Sequence, residues 1–246
     1  MVAPSFYGTG AILTWDTKLL IDSVDKKKLC ASYWHNGKSG NSKLPRVDEA
    51  DFDELFDMLI QEIIADNLVD ARGFYGFFPV ISDDDNLILL SPDDYHTEIA
   101  SFLFPRLEEK KWRSFADYFR PEGDIISVLI VTTGFKLGNQ CRRHRENKDI
   151  KGFYLNGIGD YIIQMLTNKL SVEITKTLFL PKNQGLFCVF GKPGMPGLDE
   201  QKKLLEIMCA EDRLDITFSE DFQLQPEHSA LYLYAHHPEA KCFSAP

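Results

Sequence analysis

Between residues 48 and 67 the apolar side chains Phe52, Leu55, Phe56, Leu59, Ile60, Ile63 and Ile64 recur at steps of three and four, with Asp48 placed to cap the start. That spacing gathers them on one face and predicts an amphipathic helix. The period then changes. GFYGFFPVI (73–81) and LILL (87–90) are apolar runs separated by Ser82-Asp83-Asp84-Asp85-Asn86, which predicts two strands joined by a polar turn. DIISVLIVTT (124–133) is β-branched and apolar nearly throughout, as a strand covered on both faces is, and belongs at the centre of a sheet. Helical stepping returns at Leu155, Ile158, Ile162, Met165, Leu166, Leu170 and Ile174, and falters near Pro181. A loop rich in glycine and proline (191–197) leads into a helical segment (198–210), and Leu231-Tyr232-Leu233-Tyr234 alternates as a late strand does. Helices and strands interleave without the regular cadence of a doubly wound sheet, so the class is α+β with a mixed or antiparallel sheet. No linker or internal repeat divides the chain, and residues 1–246 are read as one domain.

Composition narrows the function. With 27 Lys plus Arg against 37 Asp plus Glu, the formal charge is −10, which offers no electrostatic footprint for nucleic acid or an anionic membrane. No apolar run reaches the length of a membrane span, and the start has no leader pattern, so a cytoplasmic protein is expected. The five cysteines, Cys30, Cys141, Cys188, Cys209 and Cys242, are widely spaced and read as reduced thiols.

Taken singly, the reactive residues assign no activity. Gly37-Lys38-Ser39 ends like a phosphate-binding loop, but Ser32 stands where the first glycine belongs. Asp83, Asp84 and Asp85, with Asp93, Asp94 and His96 downstream, fit no calcium loop and read as a solvated hairpin tip. His236 and His237, with His228 eight residues before, lack the further ligands that zinc requires, and the pair beside Pro238 reads as a strand-end turn. Arg142, Arg143, His144 and Arg145 form the one dense basic cluster, a solvated helix face or a seat for an acidic partner.

Longer stretches are more specific. The run 68–79, LVDARGFYGFFP, resembles the reactivation domain of cobalamin-dependent methionine synthase. So do Phe6-Tyr7-Gly8-Thr9 with Trp34 and Gly37-Lys38, then Phe104-Pro105-Arg106, Phe115-Ala116-Asp117-Tyr118-Phe119 and Val131-Thr132-Thr133-Gly134. Ser229, Tyr234, His237-Pro238 and Lys241 keep the family's spacing at the end. The resemblance implies a C-shaped α+β domain around a twisted, mainly antiparallel sheet. It also implies an auxiliary part in a methyltransferase. Such a domain docks on a cobalamin-carrying partner whose cofactor has been oxidised to the inactive Co(II) state, a flavodoxin-like reductase supplies one electron, and S-adenosylmethionine supplies the methyl group. Acting on its own, the chain would serve as the reactivation subunit of a split methionine synthase, or as an activator of another corrinoid protein.

By the same resemblance, Asp117, the loop Gly191-Lys192-Pro193-Gly194-Met195 and Tyr234 bind S-adenosylmethionine, and Asp160 faces the corrinoid partner. The donor is a zwitterion, and the family meets it with two acids and an arginine. Here the second acid is Gln164, the loop arginine is Phe190 and the loop tyrosine is Met195. A lost bidentate contact costs roughly 1.5–3 kcal/mol, and Lys192 offers only a point charge without the fork. These changes motivate an alternative, a non-catalytic module that keeps the docking surface and has lost the donor site. Asp160 also reads as an ordinary acid in the first turn of a helix, where the macrodipole favours it.

Overall fold

The computed structural model describes residues 4–34, 49–106, 113–181 and 184–240. Asp48, Gly37-Lys38-Ser39, Lys241 and Cys242 lie outside them.

Two short strands open the chain, β1 (Gly8–Thr9) and β2 (Leu13–Thr14). The helices α1 (Thr17–Asp22) and α2 (Lys26–Leu29) follow, each begun by an aspartate whose carboxylate accepts a backbone N–H: Asp16 from Leu19 and Asp25 from Lys28. A π-helical turn, Cys30–Trp34, carries Trp34 under the amphipathic helix α3 (Glu49–Ala65), where its indole N–H donates to the Tyr154 carbonyl at 3.0 Å. The expected hairpin is β3 (Arg72–Asp83) and β4 (Asn86–Leu90), and β5 (Glu98–Leu103) extends it. After a 3₁₀ turn at Phe115–Tyr118 come β6 (Asp124–Thr132), α4 (Phe135–Glu146) and the long α5 (Lys151–Thr177). The chain closes through β7 (Leu186–Cys188), α6 (Gln201–Ile207), α7 (Ala210–Leu214), the small pair β8 (Thr217–Phe218) and β9 (Leu224–Gln225), and β10 (Ser229–Ala235).

The main sheet runs β5-β4-β3-β6-β10-β7, with β1 and β2 along β3. Every pairing in it is antiparallel, which selects the antiparallel of the two sheet types left open by the sequence. As expected, β6 is central. Leu129 pairs with Tyr75 of β3 on one side and Tyr232 of β10 on the other.

Both faces of the sheet are covered, which is why its strands are almost continuously apolar. Side chains on one face, Phe77, Leu129, Val131 and Tyr234, pack against α5 and α3. Those on the other, Phe74, Phe78, Val128, Ile130 and Leu233, meet α6, α7 and the 3₁₀ turn. Phe102 on edge strand β5 reaches Phe190, just past the opposite edge strand β7, with ring centroids 6.0 Å apart. The two edges therefore close over the second core, and the sheet curls. No helix among the described residues is long and apolar enough to cross a membrane.

Candidate functional site

Asp117 sits in a tight polar corner. Ser114 caps the 3₁₀ turn, accepting from the Ala116 N–H at 3.1 Å and donating to the Phe104 carbonyl at 2.9 Å. Asp117 completes the capping box by accepting the Ser114 N–H at 2.9 Å. Its two oxygens also accept a fork from Arg106, at 2.9 and 2.7 Å. The Nε of Arg106 lies 2.5 Å from Asp85, which corrects the reading of Asp85 as part of a solvated tip. Burial pushes the Asp117 carboxyl up, but Arg106 and the Ser114 N–H outweigh it and hold the group below the ordinary range. Beside it lies a depression of about 270 Å³ lined by Asp117, Tyr118, Arg120, Asp124 and His237.

The loop after β7 is a β-turn. Met195 N–H donates to the Lys192 carbonyl at 2.9 Å, with Pro193 and Gly194 at the corner. Gly194 has φ 77°, the left-handed value that the second corner of a type II turn requires. Lys192 is exposed, while Met195 packs half-buried against the second core. Phe190, standing where the resemblance wants an arginine, is only 5% exposed and belongs to that core. Phe190 also borders a groove of about 430 Å³ that runs along Ser229 to Tyr232, the stretch of β10 that β7 does not pair.

The structure does not bring Tyr234 to the loop or to Asp117. It lies on the α5 face, 2% exposed, donating its hydroxyl to the Gln184 carbonyl at 2.7 Å, whereas Phe115, Phe190 and Met195 pack on the other face. Alternation along β10 dictates this, because Leu233 and Tyr234 must point to opposite sides. Tyr234 is a core residue here.

Asp160 marks a second corner, at the other end of the sheet. β6 starts at Asp124, beside Asp117, and leads to Thr133, whose N–H donates to the His228 carbonyl. Nine residues of strand separate the two ends, on the order of 26 Å. Asp160 lies inside α5, well past its first turn, which corrects its reading as a helix-start acid; it is half-exposed, accepts from the Asn156 amide at 3.1 Å, and approaches the buried His228 ring at 3.9 Å. Gly159 makes room for that ring: a Cβ there would stand 2.5 Å from it. Glu227 is clamped by Arg145 through contacts of 3.2 and 2.9 Å. Desolvation, and after it the charge of Glu227, pushes the Asp160 carboxyl up to about 6. Burial pushes His228 down, so at neutral pH its contact with Asp160 is not an ion pair. Gln164, one turn further along α5, is exposed and neutral.

The basic cluster is partly internal. Arg145 holds Glu227, and His144 bridges Glu62 and Asp149 at 2.9 Å each, while Arg142 and Arg143 face solvent. A buried pair escaped the sequence reading. Ser127 bonds His236 Nε2 at 2.7 Å inside the sheet, and burial pushes that imidazole down to about 4. Its signal was a lone serine in the apolar run of β6. Among the described residues Cys141, Cys188 and Cys209 are free thiols, and no three metal-ligating side chains gather.

These features define an α+β domain whose single main sheet curls over its own core and carries an acidic corner at either end. The family model of the vitamin B12 dependent methionine synthase activation domain matches residues 46–245, and the chain belongs to that family. Methionine synthase of Mycobacterium leprae (strain TN) is 26% identical over 203 residues, 71% of this chain and 17% of that protein. The Mycobacterium tuberculosis (strain ATCC 25618 / H37Rv) methionine synthase is 24% identical over 206 residues, 72% of this chain and likewise 17% of the relative. The chain thus spans about a sixth of their length. A crystal structure of the MetH reactivation domain bound to AdoHcy superposes with a TM-score of 0.76 at 19% identity, covering 98% of this chain and 82% of that one.

Proposed function

We propose that the chain is a reactivation module for a corrinoid protein, docking through the corner around Asp160 and supporting reductive methylation of cob(II)alamin with S-adenosylmethionine. The observation that carries this reading is the superposition over 98% of the chain on a domain whose crystal structure holds AdoHcy, the demethylated form of that donor. In this role the chain acts as the reactivation subunit of a split methionine synthase. On this reading Asp117 and the loop from Gly191 to Met195 form the donor side. A flavodoxin-like reductase supplies the electron, as the resemblance implies.

A second reading has specific support. Asp117 is already engaged by Arg106, Phe190 is core and Gln164 is neutral, as in a docking module that has lost the donor. Isothermal titration of the purified chain with S-adenosylmethionine separates the two. Saturable heat that disappears in Asp117→Asn is the expected result. No heat at millimolar ligand would leave only the docking role.

A further inference from the structure

A bound zwitterion needs a cationic fork for its carboxylate as well as an acid for its ammonium. The loop does not provide the fork: Phe190 is packed on Phe102, and Lys192 is a point charge on an exposed turn. A guanidinium does lie against Asp117, however, and it is that of Arg106. We propose that Arg106 and Asp117 form one amino-acid head-group site, in which an incoming zwitterion inserts between them, placing its carboxylate on the guanidinium and its ammonium on the aspartate.

Three features fit the pair for this exchange. First, both side chains reach solvent, Arg106 at 33% and Asp117 at 37% exposure. Second, each is held from behind. Arg106 Nε rests on Asp85, and Asp117 keeps the Ser114 N–H, so opening the pair strands neither charge. Third, an ion pair this exposed contributes little to stability, so parting it is inexpensive, while each half recovers an opposite charge from the ligand. Asp85 is fixed for its role by the two-residue hairpin turn, in which Asp83 pairs with Asn86 and Asp84 takes φ 51°. The same geometry accounts for a donor site that manages without an arginine in the loop. Arg106 is a specificity residue on this view, deciding between ligands that carry the amino-acid head group and those that lack it.

The proposal rests on the donor-binding reading above, and the test keeps the two apart. The intact chain is titrated with S-adenosylhomocysteine, which carries the head group, and with 5′-methylthioadenosine, which lacks it. The wild type is expected to favour the first by about ten-fold or more. Arg106→Gln should shrink that ratio to about two-fold while leaving affinity for 5′-methylthioadenosine unchanged, and Arg106→Lys should fall between, keeping charge without the fork. An Arg106→Gln variant that keeps the wild-type ratio would overturn the proposal and leave donor binding intact. Loss of both ligands in that variant would make Arg106 a structural residue and also overturn it. A wild type that binds neither ligand would sink the donor reading together with the proposal.

Discussion

Asp160→Asn should stabilise the protein in neutral and alkaline solution. Desolvation and then the Glu227 charge raise the Asp160 carboxyl from 3.8 to about 6. The unfolded chain therefore ionises first, and the folded state bears an unfavourable charge above that value. Relative to alkaline solution, Asp160 favours folding below 3.8, and that advantage is lost as pH rises through about 6. Taken in full, the difference corresponds to about 3 kcal/mol. Half of the side chain is in water, which screens the charge, so about 1 kcal/mol is the amount to expect. Asparagine keeps the size and a carbonyl for the Asn156 amide, which isolates the charge. Urea denaturation of wild type and variant at pH 8, 5 and 4 should give the whole gain at the first, about half at the second and about a fifth at the third. In melting temperature the gain at pH 8 is about 2–4 °C for a chain of this size. Equal stabilisation at every pH, or destabilisation at pH 8, would refute the assignment of an unfavourable charge to this corner. A surface acid maintained at a cost in stability is what a site serving a partner looks like.

Other consequences can be checked with the same denaturation assay. Phe190→Arg, which restores the residue type of the family's loop, should cost about 3–5 kcal/mol by opening the second core and burying a charge, and should not improve donor binding. Ser127→Ala should cost about 1–3 kcal/mol, because His236 keeps its burial and loses its partner. His236, held at about 4 in the folded protein against 6.5 unfolded, contributes stability that is complete above pH 6.5 and lost as pH falls through about 4. That slope opposes the one from Asp160, so only the difference between wild type and Asp160→Asn isolates the carboxyl.

The parts of the fold legible in the sequence were those long enough to show a period or an unbroken apolar run. α3, α5 and β10 carried the first, the β3–β4 hairpin and β6 the second, and each appears within a few residues of its expected bounds. α1 and α2 each span less than two turns, and β7 has three residues, too few to show either period. β5 went unread because Ile99-Ala100-Ser101-Phe102-Leu103 does not alternate apolar with polar, although its burial does. The site was legible as residue types and not as places. Asp117 and Phe190 were singled out, but which neighbour holds Asp117 depends on the hairpin tip, β5 and the 3₁₀ turn meeting, which no local spacing encodes. Tyr234 was assigned to the donor by motif, and the parity of β10 puts it on the opposite face. The packing of His228 was not legible because the glycine that admits its ring, Gly159 on α5, is 69 positions away in sequence.

Whether the chain reactivates a corrinoid can be seen by following a methyl group. A cob(II)alamin-loaded, cobalamin-carrying module of a methionine synthase is reduced by one electron at a time in the presence of methyl-labelled S-adenosylmethionine, with and without this chain. Label accumulating on the corrinoid only when the chain is present, and no longer doing so with Asp117→Asn, is the predicted result. Label transfer at the same rate without the chain, or none with it despite stable docking, would contradict the account.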